Sequence, residues 1–269
     1  MNIDRFRVEP GSKVHLDDVD PRSTAGFDGD KLAGRARAAE LTAQLAALQA
    51  LLYADGRHRL LVVLQAPDAG GKDGAVRAVF EGVTPQGVGV TSFKKPSEEE
   101  LAHDYLWRVH NQVPRAGNIT IFNRSHYEDV LIVRVHGLVP EHRWRKRYDH
   151  IRAWEEMLHD EGTTILKFYL HVSPEEQRRR LQERIDDPRK AWKFRRADLD
   201  ERARWPEYQR AYEDALAETS THHAPWFIVP ADRNWFRNLV IGETLVQTLQ
   251  RLDLQYPPPE PGMAGLKVT

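Results

Sequence analysis

The run Leu60-Leu61-Val62-Val63-Leu64, followed by Gln65-Ala66-Pro67-Asp68-Ala69-Gly70-Gly71-Lys72-Asp73-Gly74, constrains this chain more than any other segment. A short continuous apolar run fits a strand buried on both faces, and the glycines behind it let backbone N–H groups turn towards an anion. Lys72 adds a point charge at the same place. The order predicted is strand, phosphate loop, helix. Two positions depart from the usual GxxxxGK[ST] pattern: Ala66 stands for the first glycine, and Asp73 for the hydroxyl that ordinarily holds magnesium. A metal must then be held by other groups. Asp68 and Asp73 flank a site that also takes a polyanion, and Mg2+ between them is the expectation. The competing reading is a glycine-rich turn with ordinary capping aspartates.

At 269 residues the chain can bury a core unaided, as one large α/β domain or two small ones. The absence of cysteine excludes disulfides, thiol nucleophiles and thiolate metal sites, and suits a reducing compartment. The opening Met-Asn-Ile-Asp-Arg-Phe-Arg has no apolar signal core, and no stretch approaches the roughly 18 apolar residues of a membrane span. A soluble, cytoplasmic protein without a membrane partner is expected.

A net charge of −1 argues against a general nucleic-acid binder. The charge is unevenly placed, however. Between residues 178 and 196 stand Arg178, Arg179, Arg180, Arg184, Arg189, Lys190, Lys193, Arg195 and Arg196, against only Glu183, Asp186 and Asp187. Such a run is either a track for a polyanion or a solvated helix face.

Residues 1–29 are polar, with scattered Gly and Pro, and read as an extended arm rather than a packed element, able to dock on a neighbour. Leu32, Leu41, Leu45, Leu48 and Leu52 recur along one side of a helix from Lys31 to about Ala54, which Asp55-Gly56 ends. Leu60–Gln65, Gly89–Phe93, Asn118–Phe122, Thr164–His171 and Trp226–Pro230 read as strands separated by helices. Crossovers of that kind give an α/β fold of three layers, α/β/α, around a mainly parallel five-stranded sheet. Ligands then sit at the carboxyl ends of the strands, where Ala66–Gly74, Lys94–Pro96 and Asn123–Asp129 all fall. Within a body of residues 30–255, the charged segment 174–220 reads as an inserted helical lid, broken at Pro188 and Pro206. Trp192, Phe194 and Trp205 in it sandwich a nucleobase or pack a small core. Residues 256–269 read as an extended proline-rich tail.

The third strand ends in Phe122-Asn123-Arg124-Ser125-His126-Tyr127-Glu128-Asp129. An Asp ordinarily ends this strand in nucleoside-triphosphate enzymes; here Asn123 does, so a supporting carboxylate must come from Glu128 or Asp129. Ser125 and Glu128 also have the spacing of a capping box, and both readings can hold at once. Arg124 and Arg134 carry planar donors suited to phosphate oxygens. His126, His222 and His223 match no metal-ligand spacing and are assigned no chemistry.

Ala66–Gly74, Lys95-Pro96-Ser97-Glu98-Glu99-Glu100-Leu101, Phe122–Asp129 and Trp226-Phe227-Ile228-Val229-Pro230-Ala231-Asp232 together resemble the motifs of the family-2 polyphosphate kinases, in order and over about Leu32 to Leu252. The resemblance implies a P-loop kinase fold with a helical lid, and Mg2+-dependent transfer of the terminal phosphate of inorganic polyphosphate to a nucleotide, with Mn2+ as a substitute ion. Members acting chiefly on one nucleotide type often have Asp where Asn123 stands and Asn where Glu128 stands. This chain has the exchange, and so resembles the subclass, usually called class III, that accepts both AMP and ADP.

By the same resemblance, Asp68, Lys72, Arg124 and Glu128 are the expected catalytic residues. The expected phosphate-binding set is Ala69, Gly70, Gly71, Lys72, Asp73, Gly74, Lys94, Lys95, Arg124, Arg134, Arg178, Arg179 and Lys193. Asp68, Asn123 and Glu128 are the expected metal set, although the Asn at 123 departs from the family's carboxylate. Polyphosphate, AMP, ADP and ATP are the expected partners, with GMP and GDP as further candidates. The reaction is expected to be reversible, because the bonds exchanged are alike. A homo-oligomer, dimer or tetramer, is expected through the arm and the Leu-rich helix. Two alternatives share the loop and lid: an ATP-dependent nucleoside-monophosphate kinase, and a non-catalytic polyanion-binding module.

Overall fold

Strand β1 (Arg59–Gln65) is buried from Leu60 to Gln65, and its alternate residues enter two different cores. The computed structural model describes residues 1–263 and 265–267. Before β1 comes α1 (Lys31–Asp55); after it come the loop and α2 (Lys72–Val79). Next are β2 (Val88–Ser92), the short α3 (Glu98–Ala102) and α4 (Trp107–His110), and β3 (Ile119–Asn123). A 3-10 turn at His126–Asp129 and α5 (Ile132–Val135) lead to α6 (Glu141–Asp160) and β4 (Thr163–His171). Helices α7 (Pro174–Asp186), α8 (Ala197–Ala203) and α9 (Trp205–Thr219) precede β5 (Trp226–Pro230), and α10 (Asn234–Gln250) follows it.

The strands lie in the order β2-β3-β1-β4-β5, each neighbouring pair parallel. This is the expected α/β sheet, with strand ends within one residue of those read from the sequence. Leu60, Val62 and Leu64 pack with Leu41, Leu45 and Leu52 of α1 and with Phe236 and Leu239 of α10. Leu61 and Val63 pack with Tyr148 and Ile151 of α6 and with Tyr212 and Leu216 of α9. The pleat thus directs one strand into both outer layers. Helix α1 stops where Gly56 takes φ 68°, a left-handed cap from which its N–H reaches Leu52 O at 3.1 Å.

The arm is extended, but it is packed, contrary to expectation. Residues 1–29 contain 3-10 turns at Asp4–Phe6 and Leu16–Asp18, and they bury Ile3, Phe6, Val8 and Leu16. Val8 N donates to Trp226 O at 2.9 Å, and Arg7 bridges Phe227 in antiparallel fashion. The physical reason is β5, an edge strand whose open backbone groups the arm covers. Four isolated apolar residues with no regular period give a sequence reader little to recognise.

The segment 174–220 divides in three. Helix α9 buries Ala211, Tyr212, Ala215 and Leu216, and α7 buries Gln177 and Leu181. Between them, residues 182–210 contain no buried side chain. The tail is exposed at residues 256–263 and 265–267, while the expectation for Ala264, Val268 and Thr269 lies outside the described residues. Among the described residues, no helix is long and apolar enough to cross a membrane.

One buried polar network joins four elements. Lys167 Nζ on β4 donates to Glu155 Oε2 on α6 (2.6 Å), to Tyr127 Oη (2.9 Å) and to Thr219 O on α9 (2.7 Å). Tyr127 Oη donates to Glu155 Oε1 at 2.8 Å, which also lies 3.3 Å from His126 Nε2. Burial holds the His126 imidazole below its ordinary value, so this histidine serves the framework as a neutral ring. Glu155→Ala would strand the Lys167 ammonium without a counter-charge, for an expected loss of about 3–5 kcal/mol. Urea denaturation measures it, and an unchanged midpoint would remove the network's structural role.

Candidate active site

Parallel pairing of Leu64 with Asn123 sets the ends of β1 and β3 side by side, and Arg124 N donates to Leu64 O at 3.1 Å. The loop after β1 and the polar turn after β3 therefore face one another. In the loop, Ala69 (φ 59°) and Gly71 (φ 101°) take left-handed conformations, which turns successive N–H groups into a concave nest at the start of α2. A Cβ on Gly70 would lie 2.5 Å from the Ala66 Cβ and 2.8 Å from Pro67 O. The methyl of Ala66, in place of the usual glycine, is thus accommodated by the glycine at 70.

Lys72 folds back into this loop. Its Nζ donates to Ala66 O (2.7 Å) and Pro67 O (3.4 Å). Burial, with Arg124 nearby, pulls its pKa from 10.5 to about 8, against the opposing pull of Asp68, Glu128 and Asp73. Arg124 occupies a left-handed backbone conformation, φ 63°, which is uncommon for a residue with a side chain. Its Nη2 donates to Asp68 Oδ1 at 2.5 Å, and its Nη1 stands 3.7 Å from Glu128 Oε2. Those two carboxylates, Glu128 first, hold the guanidinium above its ordinary value. The Gln65 amide, in the orientation that satisfies both its ends, donates to Glu128 Oε1 and accepts from Ser125 N, each at 3.1 Å.

The turn after β3 is a 3-10 turn rather than the start of an α-helix, and no capping box forms in it. Ser125 Oγ accepts from Tyr127 N at 3.2 Å, while Glu128 faces Arg124 and Gln65. Asp129 points elsewhere: its Oδ1 accepts from Arg147 Nη1 at 3.0 Å, and burial pushes its carboxyl up to about 6. Of the two carboxylates open from the sequence, Glu128 is the one beside the loop.

Asp73 is joined to Asn123, whose Nδ2 donates to Asp73 Oδ1 at 2.7 Å. From the 3-10 turn at Ala191–Lys193, Lys193 Nζ comes within 3.8 Å of Asp73 Oδ2. Asp68, Lys72, Asp73, Asn123, Arg124, Glu128 and Lys193 are thus brought together around the loop formed by Ala69, Gly70, Gly71 and Gly74. Among the described residues, no three His, Asp or Glu side chains form a ready-made metal cluster. The carboxylates are interleaved with cations instead.

Other expected residues lie apart. Arg134 Nη1 donates to Asp214 Oδ2 at 2.6 Å, with its guanidinium 4.7 Å above the Trp144 ring. Lys94 and Lys95 are exposed beyond the end of β2. Arg178 and Arg179 are on the outer side of α7, where Arg179 pairs with Glu176 (2.6 Å) and Glu183 (3.4 Å). The reason is the helical period: Gln177 and Leu181 face inwards, which turns 178 and 179 out and Arg180 in. Arg180 Nη1 donates to Gly70 O at 3.1 Å and Ala69 O at 3.3 Å, and Gln177 Nε2 donates to Asp68 O at 3.0 Å. Arg180 was only one member of the basic run in the sequence; the inward register of Gln177 and Leu181 is the signal that singles it out. A further arginine, Arg237 on α10, lies under the loop, and a Cβ on Gly71 would be 2.2 Å from its Nη1. Trp192 is 76% exposed, with Lys193 Nζ 5.1 Å from its ring centroid, whereas Phe194 and Trp205 are half-buried.

Comparison with known proteins gives the family of the chain. A family model described as "Polyphosphate kinase 2 (PPK2)" matches residues 28–257. The chain belongs to the polyphosphate kinase 2 family. It is 59% identical to a protein of Meiothermus ruber named AMP/ADP-polyphosphate phosphotransferase, over 95% of this chain and 96% of that protein. It is 45% identical to an ADP-polyphosphate phosphotransferase of Rhodopseudomonas palustris, over 96% of this chain and 93% of that one. The crystal structure of polyphosphate kinase 2 from Arthrobacter aurescens TC1 is similar at a TM-score of 0.93 and 45% identity, covering 97% of this chain and 93% of that chain.

The depressed Lys72 value has a sign that can be tested. Folding lowers this base's pKa, so the unfolded chain binds more protons between about pH 8 and 10.5, and ligand-free stability gains with rising pH there. A bound polyanion favours the ammonium and reverses the shift. At pH 8, binding of tripolyphosphate should therefore take up about half a proton more in the native protein than in Lys72→Met. Calorimetry in buffers of different ionisation enthalpy reads this, and equal uptake by both proteins would discard the assignment.

Proposed function

We propose that this chain transfers the terminal phosphate of inorganic polyphosphate to AMP and to ADP, giving ADP and ATP, in a reversible reaction. The observation that carries the reading is the convergence of Lys72, Arg124 and Lys193, from loop, strand end and lid, on one phosphate loop whose carboxylates are already paired to cations. The family match and the names of the relatives agree with it.

In this mechanism the donor's terminal phosphates lie against the nest of N–H groups at Ala69–Gly74. Lys72 exchanges its two carbonyl partners for phosphate oxygens. An oxygen of the acceptor's own phosphate attacks the terminal phosphorus in line, the bridging P–O bond opens, and the shortened chain leaves with that oxygen's negative charge. No protein nucleophile is needed, and the deprotonated acceptor needs no general base. Lys72 and Arg124 neutralise the equatorial oxygens as charge spreads over them. Asp68 and Glu128 keep Arg124 aimed, and Lys193 brings the lid down beside Asp73.

Mg2+ keeps several waters and binds through one or two carboxylates plus substrate phosphates, so it needs no all-protein cage. Asp68 and Glu128, with the side-chain oxygen of Asn123, supply oxygen donors of that kind at the loop and would hold Mg2+, or Mn2+ in its place. Bound there, the ion would offset phosphate charge and align donor with acceptor. The same reading takes residues 30–255 as the kinase body with its lid, a cytoplasmic setting, GMP and GDP as further acceptors, and assembly as a dimer or tetramer.

Purified protein with polyphosphate, Mg2+ and AMP should form ADP and then ATP, with ATP unable to replace polyphosphate as donor; ADP formed only from ATP would overturn the reading. Lys72→Ala should lower kcat by about 100-fold or more in a folded protein. The double change Asn123→Asp with Glu128→Asn exchanges the carboxylate between two positions. It should shift the ratio of kcat/KM for AMP over ADP by about ten-fold while turnover persists. An inactive, folded double variant would count against this relocation.

A further inference from the structure

Arg237 is 2% exposed, yet among the described residues it pairs with no carboxylate. Its Nη1 donates to Asn234 Oδ1 (2.8 Å), while its Nε and Nη2 donate to Asn238 Oδ1 (3.1 and 2.8 Å). These are neutral amides of its own helix, and three bonds leave part of a five-donor guanidinium unused. Its nearest charge has the same sign. Asn234 Oδ1 also accepts from Arg180 Nη2 at 3.2 Å, so two guanidinium groups share one amide oxygen. Arg180 has Glu176 to offset it, at 2.7 Å; Arg237 has nothing equivalent. Burial first, and Arg180 second, lower the Arg237 pKa to about 9.

A buried charge without a partner is costly, and a fold that keeps one holds it ready for an absent counter-charge. Its location says which. The guanidinium lies against the first turn of α2: a Cβ at Gly71 would come 2.2 Å from Nη1, and one at Gly74 would come 3.5 Å from Nη2. Gly71 and Gly74 leave this flank of the phosphate loop without side chains. Asn234 and Asn238 also line a cleft of about 540 Å³ between α1, α2 and α10, whose charged lining residues are Arg35 and Glu81. Glu176 is committed to Arg179 and Arg180 of α7, and Glu183 to Lys190 and Arg179.

We propose that Arg237 binds a phosphate of the donor chain next to Gly71, so that the chain leaves the loop on the α10 side. The proposal rests on polyphosphate being the donor and adds where its untransferred length lies. On the reading above, which ties Asn123 and Glu128 to nucleotide preference, the acceptor lies on the other side of the loop. Arg237 therefore discriminates between the two substrates: its loss weakens the donor and leaves the acceptor alone.

The test measures KM for a long polyphosphate and for AMP, together with ligand-free melting temperature, in the native protein, Arg237→Met and Arg237→Lys. Arg237→Met should raise KM for polyphosphate by about ten-fold or more and hold KM for AMP within about two-fold. Arg237→Lys, which keeps the charge and loses the fork, should fall between. The ligand-free melting temperature of Arg237→Met should equal or exceed the native one, because an uncompensated charge is removed. A purely structural arginine would give the reverse: a lower melting temperature with KM for polyphosphate unchanged. Equal rises in both KM values would also overturn the proposal. If Arg237→Met does not fold, an unchanged KM for polyphosphate in Arg237→Lys together with an unchanged tripolyphosphate-induced shift in its melting temperature overturns it. Native turnover with polyphosphate anchors the comparison: without it the donor assignment fails, whereas native-like KM values in the variants remove only the exit path.

Discussion

The ion pair between Arg124 and Asp68 is the contact on which the active edge depends. It joins the ends of β1 and β3, strands that pair in parallel and carry the loop and the polar turn respectively. Arg124 pays for its place with a left-handed backbone, and that geometry directs the guanidinium back across the loop instead of out along the next turn. Asp68 and Glu128 then hold it from two sides. Without that bridge, the four charged groups that act on Lys72 would have no fixed order, and electrostatic preorganisation requires one.

On the proposed function, a site for polyphosphate must be positive enough to gather a polyanion, yet stable before the polyanion comes. Three solutions to this conflict coexist in the molecule. Arg124 and Lys193 are neutralised by loop carboxylates that can change partner. Lys72 is bent onto backbone carbonyls and shifted towards neutrality by burial. Arg180 is anchored by one acid and by the loop's own carbonyls. Each arrangement stores cationic character in a form the ligand can release, at differing cost to the empty fold.

The sheet, its parallel order and the placing of the phosphate loop were legible because they depend on local signals: apolar runs of strand length, helical periods between them, and glycines with a lysine behind. The partners of those residues were less legible. Which arginines of 178–184 face the loop depends on the phase of α7, and that phase is set by two inward residues, Gln177 and Leu181, within an otherwise charged helix. Arg134 was expected to bind phosphate beside the third strand; its partner in the structure is Asp214, 80 residues away in sequence. Arg237 carries no motif, and only tertiary packing gives it meaning. Asn123 could be seen as an exception in sequence; that Asp73 is its partner could not.

The packed arm has a consequence for how the chain reaches its native state. Ser220 Oγ donates to Val8 O across 212 residues, and Asp232 N donates to Pro21 O, so the arm is synthesised well before the surface on which it docks. It must wait, unpaired, until the fifth strand is in place. Closing so long a separation is slow in chain-entropy terms. Asp232 also accepts from Ser173 N and Oγ, both at 2.8 Å, at the residue that caps α7. The late docking of the arm is therefore tied to the root of α7.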